Sequence, residues 1–317
     1  MKHYLGVDLG GTNIVAGVVN EEYEILAKSD TPTKAERDVK EVVADIVKVA
    51  KEALEKAGLE DKDVSFLGIG VPSGVNYNNN HVIYAPNLGW KDYDIISDIH
   101  ELWDMPVRIL NDADAAALGE AVAGKGKDYD SIFCMTLGTG VGGGFIYKKE
   151  LYTGGDGYGL EPGHITIMMD GEKCGCGKKG CLEAYASVTA LNRQARSAMK
   201  ENKDTIMWEM CDGDENNING KIVFDAAKEG DKVATEVVDK YIEYVAIGVG
   251  NFIVSFRPQA VIIGGGVSGA GERLFEPLKQ VLPKYIYAPY VLGLPPIFKA
   301  ELGNDAGIIG AAFAGEC

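Results

Sequence analysis

A cluster of metal-binding side chains between residues 161 and 183 constrains the fold of this chain more than any other feature. The cluster comprises one imidazole, three thiols and two carboxylates: His164, Cys174, Cys176, Cys181, Glu161 and Glu183. Three thiolates and one histidine form a tetrahedral set of the kind that zinc takes in structural sites, and the glycines between them allow tight turns. The two carboxylates lie outside that set, so a metal ion would hold them close together without binding them. Acids presented in this way suggest recognition of a polyhydroxylated ligand.

Two other interpretations of the cysteines are weaker. Cys174 and Cys176 are separated by a single residue, which disfavours a disulfide, and no export signal opens the chain. A zinc knuckle that binds nucleic acid would need basic surroundings, whereas the chain has a formal net charge of −16. The spacing therefore predicts zinc rather than disulfides or a nucleic-acid interface.

The composition is that of an ordinary globular protein. Of 317 residues, 46% are hydrophobic and 25% are charged, which is typical of about two domains with a sizeable core. The acidic balance argues against nucleic acid and anionic membranes as partners. The N-terminal residues enter a strand at once, which leaves no room for a signal peptide, and the longest apolar run, Val245 to Phe256, is too short to span a bilayer. We therefore expect a cytoplasmic protein.

Strand and helix patterns alternate along the chain, which predicts an α/β fold. The predicted strands are residues 4–9, 14–19, 23–27, 66–71, 107–110, 132–137, 144–147, 260–263 and 297–302. The predicted helices are residues 39–57, 95–103, 112–123, 187–202, 231–256 and 306–314. Residues 211–220 are polar and contain glycine, and we expect them to form a solvated loop.

Two glycine-rich turns, Asp8 to Asn13 and Leu137 to Val141, each follow a strand. Their backbone N–H groups can form anion-binding concavities, so the two turns could hold the phosphates of a nucleotide from both sides of a cleft. Asp8 is placed to hold magnesium through water, although a plain glycine hairpin with a surface aspartate is the alternative. A third turn, Gly264 to Gly266, follows a buried strand, where a nucleoside can lie. The candidate nucleotide-binding residues are Asp8, Gly10, Gly11, Thr12, Asn13, Gly138, Thr139, Gly140, Gly264, Gly265 and Gly266.

Asn111 and Asp112 come at the carboxyl end of a predicted strand and open a helix. A carboxylate at that place lies beside backbone N–H groups and the positive end of the helix dipole, which favours its ionised form. One interpretation is a simple N-cap. The other is a base that accepts the proton of a substrate hydroxyl as it attacks ATP. Asp114, two residues further on, is expected to interact with the helix dipole.

With these motifs, the chain resembles the ROK family of bacterial sugar kinases, and within it the ATP-dependent glucokinases. The resemblance covers nearly the whole chain and rests on five segments besides the cysteine element from Cys174 to Glu183: residues 8–12, 86–90, 111–120, 137–144 and 161–164. It implies an α/β, two-domain, actin-like (ribonuclease-H-like) ATPase fold with a zinc-binding insertion. The small N-terminal domain would comprise residues 1–111 and 304–317, and the large domain, carrying the zinc site, residues 112–303.

The resemblance also implies a role for each candidate residue. Asp112 would be the catalytic base of an enzyme that uses MgATP to phosphorylate the 6-hydroxyl of glucose in glycolysis. The residues implied to contact the sugar are Asn87, Asn111, Asp112, Glu161, His164 and Glu183. The residues implied to bind structural zinc are His164, Cys174, Cys176 and Cys181. We expect a homodimer or homotetramer that binds sugar and ATP but neither nucleic acid nor membrane.

Two positions depart from the family pattern near the expected sugar site. Ser73 replaces a glycine that is usual there, and Pro162 occupies a position more often taken by an aliphatic residue. Both bear on substrate preference, for which N-acetylmannosamine or another hexose is the alternative to glucose. Repressors of the same family carry a DNA-binding segment before the first phosphate loop, whereas seven residues precede Asp8 here. We therefore expect an enzyme rather than a sugar-sensing regulator.

Overall fold

The computed structural model of the chain describes residues 2–77, 79 and 81–315. The strands in this range are β1 His3–Leu9, β2 Asn13–Asn20, β3 Ile25–Pro32, β4 Val64–Val71, β5 Gly74–Asn76, β6 His81–Ala85, β7 Trp90–Tyr93, β8 Val107–Asn111, β9 Ser131–Leu137, β10 Val141–Tyr147, β11 Glu150–Tyr152, β12 Ala260–Gly264 and β13 Ile297–Lys299. The α-helices are α1 Val39–Lys56, α2 Ile95–Leu102, α3 Asp112–Val122, α4 Glu183–Ala186, α5 Val188–Glu201, α6 Met207–Met210, α7 Gly220–Lys228, α8 Lys232–Phe256, α9 Glu272–Val281, α10 Pro289–Leu292 and α11 Asp305–Ala312.

The described strands form three sheets. In the first, with the order β3-β2-β1-β4-β8, strands β1 to β3 form an antiparallel meander, while β4 lies parallel to both β1 and β8. The second has the order β11-β10-β9-β12-β13, and its strands β12 and β13 are parallel. Strands β5, β6 and β7 form a small antiparallel sheet. The α/β class predicted from the sequence is confirmed.

The chain divides into two compact units. The first comprises Met1–Cys134, Gly144–Leu160 and Glu301–Cys317, and it contains the first sheet, the small sheet, helices α1 to α3 and helix α11. The second comprises Met135–Gly143 and Glu161–Ala300, and it contains helices α4 to α10 with strands β12 and β13. Candidate site residues occur in both units.

Helix α1 shows how the sequence pattern builds the first unit. Its apolar positions recur at helical spacing and are buried, with Val42, Val43 and Ile46 inaccessible to solvent. Asp38 caps the N-terminus by accepting from the backbone N–H of Lys40. The apolar face packs against strands β1 to β3, and the core-facing side chains of β1 and β2 are equally buried. Burial of this face, rather than helix propensity, holds α1 in place.

Helix α11 approaches its neighbours in the first unit so closely that no side chain fits between them. A Cβ atom at Gly68 of β4 would lie 1.8 Å from the carbonyl oxygen of Ala311. One at Gly310 would lie 1.7 Å from the carbonyl oxygen of Ala115 in α3. Both distances are far inside van der Waals contact, so glycine is required at these positions. Helix α11 therefore packs directly on the first sheet and on α3.

Several predicted boundaries differ from the structure. The strand predicted for residues 297–302 ends at Lys299, because the N–H groups of Glu301 and Leu302 donate to the buried carboxylate of Glu120 instead of to a strand. The prediction of a solvated loop at 211–220 is wrong in part, since Cys211 and Ile218 are buried. The sequence patterns also missed strand β11, the small sheet, and helices α4, α6, α7, α9 and α10.

Within the part of the chain that the structure describes, no helix combines the length and the apolar character needed to cross a lipid bilayer.

Candidate active site

The first glycine turn joins β1 to β2 in the first unit. The N–H of Gly10 donates to the carbonyl of Asn13 (2.9 Å), and the hydroxyl of Thr33 donates to the carbonyl of Gly10 (2.6 Å). The N–H of Thr33 donates to the carbonyl of Thr12 (2.8 Å). The turn is thus held from its inner side, while Thr12 and Asn13 stay exposed. Such a turn can offer its remaining donors to an anion.

Asp8 and Asn87 flank this turn. Burial raises the pKa of the Asp8 carboxyl to about 6. Its carboxylate lies against the start of α11, where a Cβ atom at Gly307 would be 3.1 Å from the Asp8 carboxyl carbon. On the other side, a Cβ atom at Gly11 would lie 3.5 Å from the Cβ of Asn87. The predicted sugar contact Asn87 therefore lies next to the predicted phosphate turn.

Asn111, and not Asp112, is the N-cap of helix α3. Its Oδ1 accepts from the N–H groups of Ala113 (2.8 Å) and Asp114 (3.1 Å). Its amide Nδ2 donates to the carbonyl of Ser73 (2.9 Å), which leaves one N–H of the amide for a ligand. Asp112 is the first helical residue, and its exposed carboxylate accepts from the N–H of Ala113 (2.8 Å). Capping therefore does not require Asp112, which remains accessible.

The parallel part of the first sheet brings Asp8 and Asp112 to one edge. Strand β4 lies between β1 and β8, with Asp8 opposite Gly70 and Gly70 opposite Leu110. Because neighbouring strands are about 4.8 Å apart, the end of β8 lies roughly 10 Å from Asp8. Ligands of open α/β sheets bind at such carboxyl edges.

The four predicted zinc ligands come together in the second unit. One donor atom from each of His164, Cys174, Cys176 and Cys181 lies within 4.8 Å of the others. The sulfurs of Cys176 and Cys181 are 3.7 Å apart, and that of Cys174 is 3.6 Å from Nδ1 of His164. A tetrahedral zinc ion with Zn–S bonds of about 2.3 Å separates its sulfur ligands by about 3.8 Å. Both the donor set and its spacing therefore fit zinc.

The backbone around the cluster favours metal binding. Gly177 and Gly180 adopt positive φ angles of 90° and 77°, which turn the chain back between the cysteines. The backbone N–H of Lys178 lowers the pKa of Cys176, whereas burial raises that of Cys174 to about 12. Metal binding replaces the proton of a coordinating thiol, so an ion bound here would have to displace the proton of Cys174.

Glu183 joins the cluster to the second glycine turn. One of its carboxylate oxygens accepts from the N–H of Val141 (3.1 Å), and the other lies 3.6 Å from the sulfur of Cys174. The pKa of Glu161 is raised, mainly by desolvation. The nearby His164 lowers this pKa, and the carboxylate of Glu183 raises it further. The predicted sugar contacts Glu161, His164 and Glu183 are thus close enough to influence each other.

The second and third glycine turns lie side by side in the second unit. The N–H of Gly138 donates to the carbonyl of Gly140 (3.0 Å), and the hydroxyl of Thr189 donates to the carbonyl of Thr139 (2.9 Å). Gly265 has a φ of 80°, and a Cβ atom there would lie 2.4 Å from the carbonyl oxygen of Leu137. This close approach brings the third turn next to the end of β9, where the second turn begins.

The structure therefore gathers the site residues in two groups. The first unit holds Asp8, Gly10, Gly11, Thr12, Asn13, Asn87, Asn111 and Asp112, and the second holds the remaining candidates. Sequence reasoning missed Tyr77, whose hydroxyl contacts the backbone of Asn111, and gave Asp114 only a dipole role. No local pattern identifies Tyr77, because its partners lie 34 and 37 residues away.

Comparisons with known proteins identify relatives of this chain. Residues 4–314 match the ROK family. The glucokinase of Thermotoga maritima is 37% identical to this chain, across 97% of the chain and 95% of that protein.

Two solved structures are similar over their whole length. A ROK family glucokinase from Streptomyces griseus, in complex with glucose and AMPPNP, has a TM-score of 0.84 and 35% identity, covering 98% of both chains. The ROK hexokinase from Thermus thermophilus has a TM-score of 0.84 and 32% identity, covering 98% of this chain and 97% of that one. The fold predicted from the family resemblance is thereby confirmed, and the chain belongs to the ROK family.

Proposed function

We propose that this protein is an ATP-dependent glucokinase, which transfers the γ-phosphoryl group of MgATP to the 6-hydroxyl of glucose. The observation that carries the proposal is the exposed carboxylate of Asp112, held at the head of α3 by the Asn111 cap and at the same sheet edge as Asp8. The glucokinases among its relatives support both the reaction and the sugar.

In this reaction Asp112 accepts the proton of the attacking hydroxyl, while the rest of the site positions the reactants. The N–H groups of the turns at residues 10–13 and 138–140 bind phosphate oxygens, and Asp8 would hold magnesium. Magnesium, when bound, neutralises charge that develops on the phosphates. Glu161, His164 and Glu183 bind sugar hydroxyls, together with Asn87 and the free amide N–H of Asn111.

We propose a structural role for zinc bound by His164, Cys174, Cys176 and Cys181. The ion would crosslink the segment from residue 164 to 181 and so fix the orientation of Glu161 and Glu183. His164 Nδ1 faces the cysteines, which leaves its other ring nitrogen for a sugar oxygen.

Glucose is preferred over N-acetylmannosamine in this proposal. The polar side chains of Glu161, His164 and Glu183 suit adjacent sugar hydroxyls. Sugar analogues that leave these side chains without a hydrogen-bond partner are disfavoured. An acetamido group also needs extra volume, and a Ser73 side chain that faced the sugar would narrow the region next to Asn111. The test is the ratio of kcat/KM for the two sugars at the same MgATP concentration. A ratio in favour of N-acetylmannosamine would refute glucose as the preferred substrate, while the proposed kinase reaction would still hold.

The chemistry is tested by Asp112→Asn, which keeps the size and removes the proton acceptor. Turnover should fall by ~10²–10⁴-fold with folding preserved. Asp305→Asn is the matched control, because Asp305 is likewise the first residue of a helix, pairs with Lys28 on the surface and lies outside the proposed machinery. ADP release with glucose measures both variants. Near-normal turnover in Asp112→Asn would place the base elsewhere.

The remaining parts of the proposal concern context. We propose a cytoplasmic enzyme of glycolysis, since three close, reduced thiols persist in a reducing compartment. The domain division expected from the resemblance, at residues 1–111 with 304–317 and at 112–303, differs from the two compact units, which place residues 112–134 and 144–160 in the first unit. A homodimer or homotetramer is supported by the exposed apolar side chains of Tyr287, Tyr290 and Val291. Light scattering of the purified protein tests the assembly.

A further inference from the structure

A tyrosine outside the predicted site ties together the segment that carries Asp112. Tyr77 follows strand β5 and is partly buried. Its hydroxyl donates to Oδ2 of Asp114 (2.5 Å) and accepts from the backbone N–H of Asn111 (2.9 Å). On another side, a Cβ atom at Gly157 would lie 3.4 Å from the Cβ of Tyr77, so the loop at residue 157 packs against it. Tyr77 thus contacts two segments that are distant from it in the chain, the start of α3 and the loop at residue 157.

Asn111 is the residue through which these contacts act on the site. Its side chain donates to the carbonyl of Ser73, so that it is attached to the segment 73–77 by both its side chain and its backbone. Its Oδ1 simultaneously caps α3. Asp112 is the next residue along the chain, and any displacement of Asn111 moves the Asp112 carboxylate with it. A small displacement of the Asp112 carboxylate lowers the rate of phosphoryl transfer strongly, because proton transfer needs the base within hydrogen-bond reach of the sugar hydroxyl.

Asp114 provides the second attachment. It lies in the first turn of α3 and is only 6% exposed. A Cβ atom at Gly144 would be 2.9 Å from its Oδ1, so the carboxylate is enclosed by β10 on that side. A carboxylate in this position is stabilised by the Tyr77 hydroxyl, and the bond keeps Tyr77 directed at the N–H of Asn111.

We infer, on the basis of the proposed function, that Tyr77 and Asp114 are positioning residues for the Asp112 base. Neither contacts the reacting atoms. The pair holds the start of α3 against the hairpin of β5 and β6. This contact places the Asp112 carboxylate, and the accuracy of that placement determines kcat. Binding of ATP depends on other residues and is independent of the pair.

Tyr77→Phe removes the hydroxyl and keeps the ring. We expect kcat to fall about tenfold, the KM for ATP to stay within about twofold, and the thermal midpoint to fall by only a few degrees, as the loss of one hydrogen bond requires. Tyr84→Phe is the matched control, since Tyr84 lies in the same hairpin with 57% of its surface exposed and should keep full turnover. Asp114→Ala should resemble Tyr77→Phe, whereas Asp114→Asn retains an acceptor for the hydroxyl and should recover most of the turnover.

Double variants separate positioning from a general structural role. Tyr77→Phe with Asp114→Ala should lower kcat about tenfold, not a hundredfold, because both changes remove one contact. In the Asp112→Asn background, Tyr77→Phe should change the residual rate less than about twofold. A tenfold effect in that background would overturn the inference, as would full turnover of Tyr77→Phe. Near-normal turnover of Asp112→Asn would instead reject the base assigned under the proposed function, and the inference with it.

Discussion

The buried carboxylate of Glu120 should contribute more to stability than any surface charge of this protein. Glu120 lies in α3 with 2% of its surface exposed. Its Oε1 accepts from the N–H groups of Glu301 and Leu302 (2.8 Å each), and its Oε2 accepts from that of Lys125 (3.1 Å). Hydrogen bonds to a charged acceptor contribute ~1.5–3 kcal/mol each, so three of them give about 5 kcal/mol or more.

Two substitutions at this position should differ in a defined way. Glu120→Ala loses all three bonds and should lower the free energy of unfolding by about 5 kcal/mol. Glu120→Gln keeps one oxygen for Glu301 and Leu302, but its NH₂ group meets the N–H of Lys125. The two retained bonds become neutral and the third is lost, so the expected cost is about 3 kcal/mol.

Urea unfolding measures these costs, provided that the slope with denaturant stays constant. Glu301→Gln is the control, because the Glu301 side chain is half exposed and pairs with Lys125 at 3.4 Å, which should contribute less than about 1 kcal/mol. The reasoning would be refuted if Glu120→Gln were within about 0.5 kcal/mol of the wild type, or if Glu301→Gln cost as much as Glu120→Gln.

Two further predictions concern the metal cluster and the first phosphate turn. Cys176→Ser should lose zinc, which elemental analysis measures, and should raise the KM for glucose far more than the KM for ATP. Metal-free wild-type protein with full activity would contradict a structural zinc. Asp8 binds its proton more tightly in the folded state, since burial raises its pKa from 3.8 to about 6. Its contribution to stability is therefore fully present below about pH 4 and is lost as the pH rises through 6, a change of about 3 kcal/mol. The difference in unfolding free energy between the wild type and Asp8→Asn should follow this change, and a constant difference between pH 4 and 7 would exclude it.

The parts of the fold that sequence predicts well are those that depend on local patterns. Helix α1 begins at Val39 as predicted, because its apolar spacing and the cap at Asp38 lie within a few residues of each other. Strand β13 ends earlier than its apolar pattern indicates, since the partner of Glu301 and Leu302 is a carboxylate about 180 residues away. The small sheet was missed because its strands are only three to five residues long.

The candidate site also combines features that follow from local sequence spacing with features that depend on distant segments. The gathering of His164 and the three cysteines follows from their spacing, and the structure shows it. The N-cap of α3 is Asn111 and not the neighbouring carboxylate of Asp112, for which the sequence pattern also allowed that role. The link from Glu183 to Val141 and that from Tyr77 to Asn111 depend on how distant segments pack, which no spacing encodes.

The close packing of α11 has a consequence for the order in which the protein is made. Strand β1 leaves the ribosome near the start of synthesis, whereas the helix that covers it comes about 300 residues later. At a translation rate of ~5–20 residues per second, that interval lasts about 15–60 s. During this time one face of the first sheet is not yet covered by α11. Residues 161–300 of the second unit, by contrast, are synthesised as one continuous stretch. The half of the protein that is translated first is therefore completed last, and its unfinished sheet is the part of the nascent chain that most needs protection from aggregation.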